Sequence, residues 1–176
     1  MAPGYRQGTE SEGVLVPSVP GRARDHAEEL AAAADRTGIR VAVAESLTSG
    51  QIAATLGAAS NSGEWFRGGV VAYSRAVKHR VLGVPEGPVV SAAAARAMAE
   101  GVRTLFEATL AVGVTGAGGP DPQDGQAPGS VWFAVAAEDA VTTEFRVFEG
   151  DPAQILDQVI EYAVWLLLGA ARGTAG

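Results

Sequence analysis

The sequence contains no cysteine, which excludes disulfides, thiolate catalysis and cysteine-based metal sites. Histidine is almost as scarce: His26 and His79 are too few to suggest a metal cluster. Aromatic residues make up only 6% of the chain, so its side chains are mostly small and its backbones can pack closely. Basic residues are outnumbered, with 13 Lys and Arg against 20 Asp and Glu, a net charge of -7 and a pI near 4.8. They are scattered, whereas a nucleic-acid binder carries a basic patch or stripe. A polyanionic partner is therefore not expected, although a single phosphate on a small ligand is compatible. No apolar run approaches the ~20 residues that span a bilayer. The N-terminus lacks the apolar core of a signal peptide. No membrane partner is expected, and the chain reads as a cytoplasmic protein.

What is present fits one globular domain: 176 residues, with 47% hydrophobic and 19% charged. Residues 1–20 mix Gly, Ser, Glu and Pro without periodicity and read as a mobile tail. The domain is expected over residues 21–172. Alanines and Leu30 recur at helical spacing from Arg22 to Thr37, and Gly38 is a stop signal. Val41-Ala42-Val43-Ala44 is apolar on both faces and predicts a buried strand. A helix is expected from Gln51 to Leu56, a polar loop from Gly57 to Gly63, and a strand from Gly68 to Tyr73. Ser74 and Ser91 are N-caps for helices ending at Leu82 and near Phe106. Ala108 to Val114 predicts a strand, Ser130–Ala136 with Val141–Phe148 a hairpin, and Asp151 to Leu168 a final helix. Alternating strands and helices followed by a hairpin predict an α/β fold. The expected form is a three-layer α/β/α sandwich on a mixed, mostly parallel sheet of about five strands. Ligands in such folds gather beyond the carboxyl ends of the parallel strands.

Three loops leave strands at that edge. The first is Glu45-Ser46-Leu47-Thr48-Ser49-Gly50, between a strand and a helix. Unpaired amides of the first helical turn can hold a phosphate or an acyl-transfer oxyanion, and Ser46 precedes them where a nucleophile would sit. Ser46, Thr48 and Ser49 acting only as helix caps is the competing explanation. The second loop holds Tyr73, Ser74 and, an i, i+4 step on, Lys78. A serine hydroxyl needs a base to become a nucleophile, and a lysine of lowered pKa is a known alternative to histidine. Tyr73 is placed to relay the proton or orient the pair. A solvated lysine and a packed tyrosine explain the same residues. The third loop is Thr115-Gly116-Ala117-Gly118-Gly119-Pro120, whose glycines allow close approach to a ligand. It lacks the dinucleotide-binding spacing, and there is no Walker motif. A turn without any ligand accounts for it equally well.

Together the loops resemble the CinA C-terminal family. Its pattern A-E-S-x-T-G-G is Ala44-Glu45-Ser46-Leu47-Thr48-Ser49-Gly50 here, and G-G-V-V-A-Y-S-x-x-x-K is Gly68 to Lys78. L-G-V is Leu82-Gly83-Val84, V-S before a helix is Val90-Ser91, and A-x-x-M-A-x-G runs from Ala95 to Gly101. T-G-x-A-G-P is Thr115 to Pro120, and G-T-V is Gly129-Ser130-Val131. The likeness extends from about Gly38 to the final helix. It implies hydrolysis of the carboxamide of nicotinamide mononucleotide to nicotinate mononucleotide and ammonia. Ser46 would be the nucleophile, with Tyr73 and Lys78 assisting, and neither metal nor cofactor is implied. Glu45, Thr48, Ser49, Gly50, Thr115, Gly116 and Gly118 would bind substrate, and amides from Thr48 to Gly50 would hold the oxyanion. A homodimer or higher homo-oligomer is implied; exposure of Trp65, Phe66 and Trp165 would fit it, and burial of these residues in the core explains them equally well.

The chain departs from the pattern at Ser49 and Gly118, where the family has glycine and alanine, and around Gln126-Ala127-Pro128, where it often has a lysine. Family members also often carry an arginine after Gly-Asp at the last helix. Here Gly150-Asp151 is followed by Pro152, with Leu156 and Asp157 nearby. An arginine clamps phosphate or carboxylate, so its loss predicts weaker substrate binding rather than a damaged nucleophile. A weak or inactive nucleotide-binding module, or a hydrolase of another small amide, therefore stands beside the first expectation.

Overall fold

Val41-Ala42-Val43-Ala44 alternates large and small side chains, and the sheet built on it has unequal faces. The computed structural model describes residues 21–173; the expected tail lies outside them. In chain order the elements are α1 (Gly21–Thr37), β1 (Val41–Glu45), α2 (Gln51–Gly57), α3 (Ser62–Trp65), β2 (Phe66–Val71) and α4 (Arg75–Leu82). Then come α5 (Ala92–Leu105), β3 (Leu110–Gly116), β4 (Ser130–Ala136), β5 (Val141–Val147) and α6 (Pro152–Gly173). The strand order is β2-β1-β3-β4-β5. β1 pairs in parallel with β2 and β3, while β4 runs antiparallel to β3 and β5. Four strands thus share one direction and β4 alone is reversed, the mixed α/β sheet expected from the element order.

Val41, Val43, Val112, Val114, Val131 and Phe133 face α1, α2 and α6 in the larger core. On the other face Ala42, Ala44 and Ala111 meet α4 and α5 through Leu82, Met98 and Val102. Large side chains carry more buried apolar area, roughly 1.5–3 kcal/mol for each fully buried Val or Leu. The alanine face instead gains contact by closeness. At Gly113 in β3 an added Cβ would lie 2.6 Å from both the Ala95 carbonyl oxygen and the Ala99 amide nitrogen of α5. These are backbone atoms that cannot turn aside. Gly113→Val is expected to cost about 3 kcal/mol, read as a lowered midpoint in urea unfolding with an unchanged slope.

Differences from the expected elements have local causes. β2 lies two residues earlier than the Gly68 to Tyr73 expectation because pairing begins at Phe66 opposite Val41. β3 also moves along the chain. The Ala108 amide closes the end of α5 on the Arg103 carbonyl, while Thr115 and Gly116 pair with Trp132 and Val131. The expected polar loop from Gly57 to Gly63 gives way to α3, where Trp65 is 3% exposed and donates to the Ser60 carbonyl at 3.1 Å. Trp65 is therefore a core residue and not an exposed one, whereas Trp165 is half exposed. α6 continues past Leu168 because Ala171 extends its buried stripe. No helix among the described residues is long and apolar enough to cross a membrane.

Candidate active site

β1, β2 and β3 are parallel neighbours, so their C-terminal ends share one edge. Ser46 follows β1, the middle of the three. Lys78 comes from α4, whose start is fixed by Ser74: its hydroxyl oxygen accepts from the Val77 amide at 3.3 Å, and its carbonyl from the Lys78 amide at 3.1 Å. The Lys78 side chain then runs back under the sheet edge and is 1% exposed. Its Nζ donates to the Ala72 carbonyl at 2.7 Å and lies 2.9 Å from Ser46 Oγ. Glu45 pairs with Val71 across the strands, which sets Ser46 beside Ala72 and brings both partners within reach of one amine.

These two partners match a neutral amine. It has a lone pair to accept the Ser46 hydroxyl proton and N–H groups to donate to Ala72. An ammonium must donate three times, and no third partner exists among the described residues. Burial disfavours the charged form and is the main reason the Lys78 pKa lies below 10.5. The Arg75 guanidinium lowers it further, and the Asp124 carboxylate partly opposes both. Arg75 is held by Asp124 and donates to the Gly87 carbonyl at 2.9 Å. Asp124 also accepts from the Val89 and Val90 amides at 2.6 and 3.0 Å. Burial works against ionisation of Asp124, but these amides and Arg75 outweigh it and hold the carboxyl below the usual range. The segment that follows the third loop is thereby tied to the turn before α5 and to the start of α4. Arg75→Gln removes a positive charge that opposes protonation of Lys78. The acid limb of the activity–pH profile is expected to move to higher pH, while a fixed limb with a uniformly reduced rate would mean that Arg75 acts only through packing.

Other expected site residues serve the scaffold instead. Glu45 is fully buried, and its carboxylate accepts from the amides of Gly50 and Ile52 at 3.1 Å and of Ala53 at 2.8 Å. It caps α2 from the preceding strand. The Gly50 amide is thus spent, and the Ser49 amide donates to the Ser46 carbonyl at 3.1 Å. The expected oxyanion donors from Thr48 to Gly50 reduce to Thr48, joined by Leu47; the amides of both make no hydrogen bond among the described residues. Ser49 and Gly50 take positive φ of 51° and 94°, a conformation that suits the glycines of the family pattern. Thr48 is fully buried, with its hydroxyl unpaired among the described residues. The Thr115 hydroxyl donates to the Val89 carbonyl at 2.6 Å and stabilises the loop instead of a ligand.

A cleft of about 250 Å³ opens beside Ser46. Gly116, Gly118 and Gly119 form its wall, and Tyr73, which is 71% exposed, stands at its mouth. The Tyr73 hydroxyl makes no hydrogen bond to Ser46 or Lys78, so the pair meets directly without a relay. Sequence reasoning missed Asp121, Gln123, Asp124 and Arg75. A carboxylate inside a Gly- and Pro-rich loop was the available signal for Asp124. A larger hollow of about 780 Å³ between α1 and α6 shares no residue with this cleft and holds no nucleophile–base pair. No group of three or more His, Asp or Glu suited to a metal occurs among the described residues.

The family model of the CinA C-terminal domain matches residues 23–170. A CinA-like protein of Gemmatimonas aurantiaca is 38% identical over 144 residues, covering 78% of this chain and 34% of the relative. Another CinA-like protein, from Anaeromyxobacter dehalogenans, is 37% identical over 167 residues, covering 91% of this chain and 41% of the relative. The chain thus spans well under half the length of these curated relatives. The crystal structure of a competence-damaged protein (CinA) superfamily protein from Klebsiella pneumoniae superposes with a TM-score of 0.82 at 30% identity, covering 86% of this chain and 98% of that one. With this match over most of its length, the chain belongs to the CinA C-terminal domain family.

Proposed function

We propose that the chain is an amidohydrolase that cleaves a primary carboxamide to a carboxylate and ammonia through Ser46. The 2.9 Å approach of Lys78 Nζ to Ser46 Oγ, inside a buried pocket that favours the neutral amine, carries this reading. The amine takes the hydroxyl proton as Oγ attacks the carbonyl carbon. The Leu47 and Thr48 amides receive the resulting oxyanion. The C–N bond breaks as the Lys78 ammonium returns its proton to the leaving nitrogen, releasing ammonia and an acyl ester on Ser46. Water then attacks the ester with Lys78 again as base, giving the carboxylate and free serine.

Nicotinamide mononucleotide is the substrate implied by the family resemblance and the first to assay. Time-dependent release of ammonia together with the matching carboxylate supports the reading. Absence of turnover on every nicotinamide compound, with the protein folded, rejects it. A homo-oligomer is proposed on the same resemblance, and sedimentation velocity reads it directly.

A further inference from the structure

Beyond Ser46, Tyr73 and the glycine wall, the cleft is lined by Leu47, Asp121, Gln123, Pro152 and Leu156. Asp121 is its only charged lining residue among the described ones, and it is an acid. Pro152 and Leu156 stand an i, i+4 step apart at the start of α6 and present one apolar face. Arg75, on the helix that carries Lys78, is committed to Asp124 and the Gly87 carbonyl. Lys78 is buried behind Ser46 with its amine already bonded. A phosphate dianion entering this cleft meets a carboxylate and, among the described residues that line it, no guanidinium or ammonium. The volume of about 250 Å³ is also below the ~300–1,000 Å³ common for sites that enclose larger ligands.

We propose that this cleft selects a compact, unphosphorylated carboxamide, neutral or positively charged, over a nucleotide. Pro152 and Leu156 receive its flat apolar ring, Asp121 favours positive charge on that ring, and the amide group points to Ser46. The chemistry of this inference rests on the amidohydrolase reading, whereas its binding preference does not.

Two measurements on the full chain keep the two apart. Calorimetry on Ser46→Ala compares nicotinamide riboside with nicotinamide mononucleotide. The riboside is expected to bind at least about tenfold more tightly, a gap that Asp121→Asn narrows and Pro152→Arg reverses. Equal or tighter binding of the mononucleotide, or binding of neither compound, overturns the inference. Turnover by the unsubstituted protein is expected to follow the same order in kcat/KM. A riboside preference in binding without release of ammonia from any amide would support the charge selection and defeat the amidohydrolase reading alone.

Discussion

Ser46→Ala is expected to lower kcat for amide hydrolysis by on the order of 10⁴-fold or more, because the acyl ester can no longer form. What activity remains would come from oxyanion donors and positioning alone. The fold should be little affected. The Ser46 hydroxyl bonds to one partner, Lys78, and the capping of α2 rests on Glu45 instead. Thermal unfolding of the variant should therefore stay close to that of the parent while ammonia release disappears. A variant that kept full activity would move the nucleophile elsewhere.

Lys78→Met is expected to reduce kcat by about 10²–10⁴-fold, the usual worth of a positioned general base. Its effect on stability is a change of slope with pH. In the unfolded chain Lys78 holds its proton up to about 10.5, whereas in the folded chain it loses it at lower pH. Between those two values the unfolded state binds more protons, so stability must rise with pH. The contribution is complete above 10.5 and is lost as pH falls through the lowered value. The methionine variant should lack this rise. Urea unfolding of both proteins across the alkaline range reads the difference, and parallel curves would mean that the amine is not held neutral by the fold.

The strand–loop–helix placement of Ser46 and the capped helix carrying Lys78 were legible because both depend on local signals: an apolar run, a serine cap and an i, i+4 step. Their meeting required β1 and β2 to be parallel neighbours; the alternation of strands and helices predicted a mostly parallel sheet but not which strands lie side by side. The capping role of Glu45 was not legible for a physical reason. A carboxylate after a strand looks the same in sequence whether it faces a ligand or the amides of the next helix, and the turn between Ser46 and Gly50 decided for the helix. Asp124 offered only its place in a Gly- and Pro-rich loop as a signal, and its role was not legible because the amides it accepts from lie 34 and 35 residues away. Whether Trp65 was exposed or buried stayed open in the sequence, because a four-residue helix leaves almost no periodic trace, and α3 turns its ring inward. The alanine runs predicted small side chains. How closely α5 approaches Gly113 emerged only once the sheet and helix were stacked.

Lys78 is the only lysine in the chain, so lysine labelled with ¹³C at Cε gives a single side-chain signal that reports the proposed base without assignment. Following that signal by NMR across pH measures the ionisation of the amine in the folded protein. A midpoint clearly below 10.5, displaced when Ser46 is replaced by alanine, is the predicted result. A midpoint at or above 10.5 that ignores the Ser46 substitution would show an ordinary charged lysine, and the serine–lysine mechanism would be contradicted.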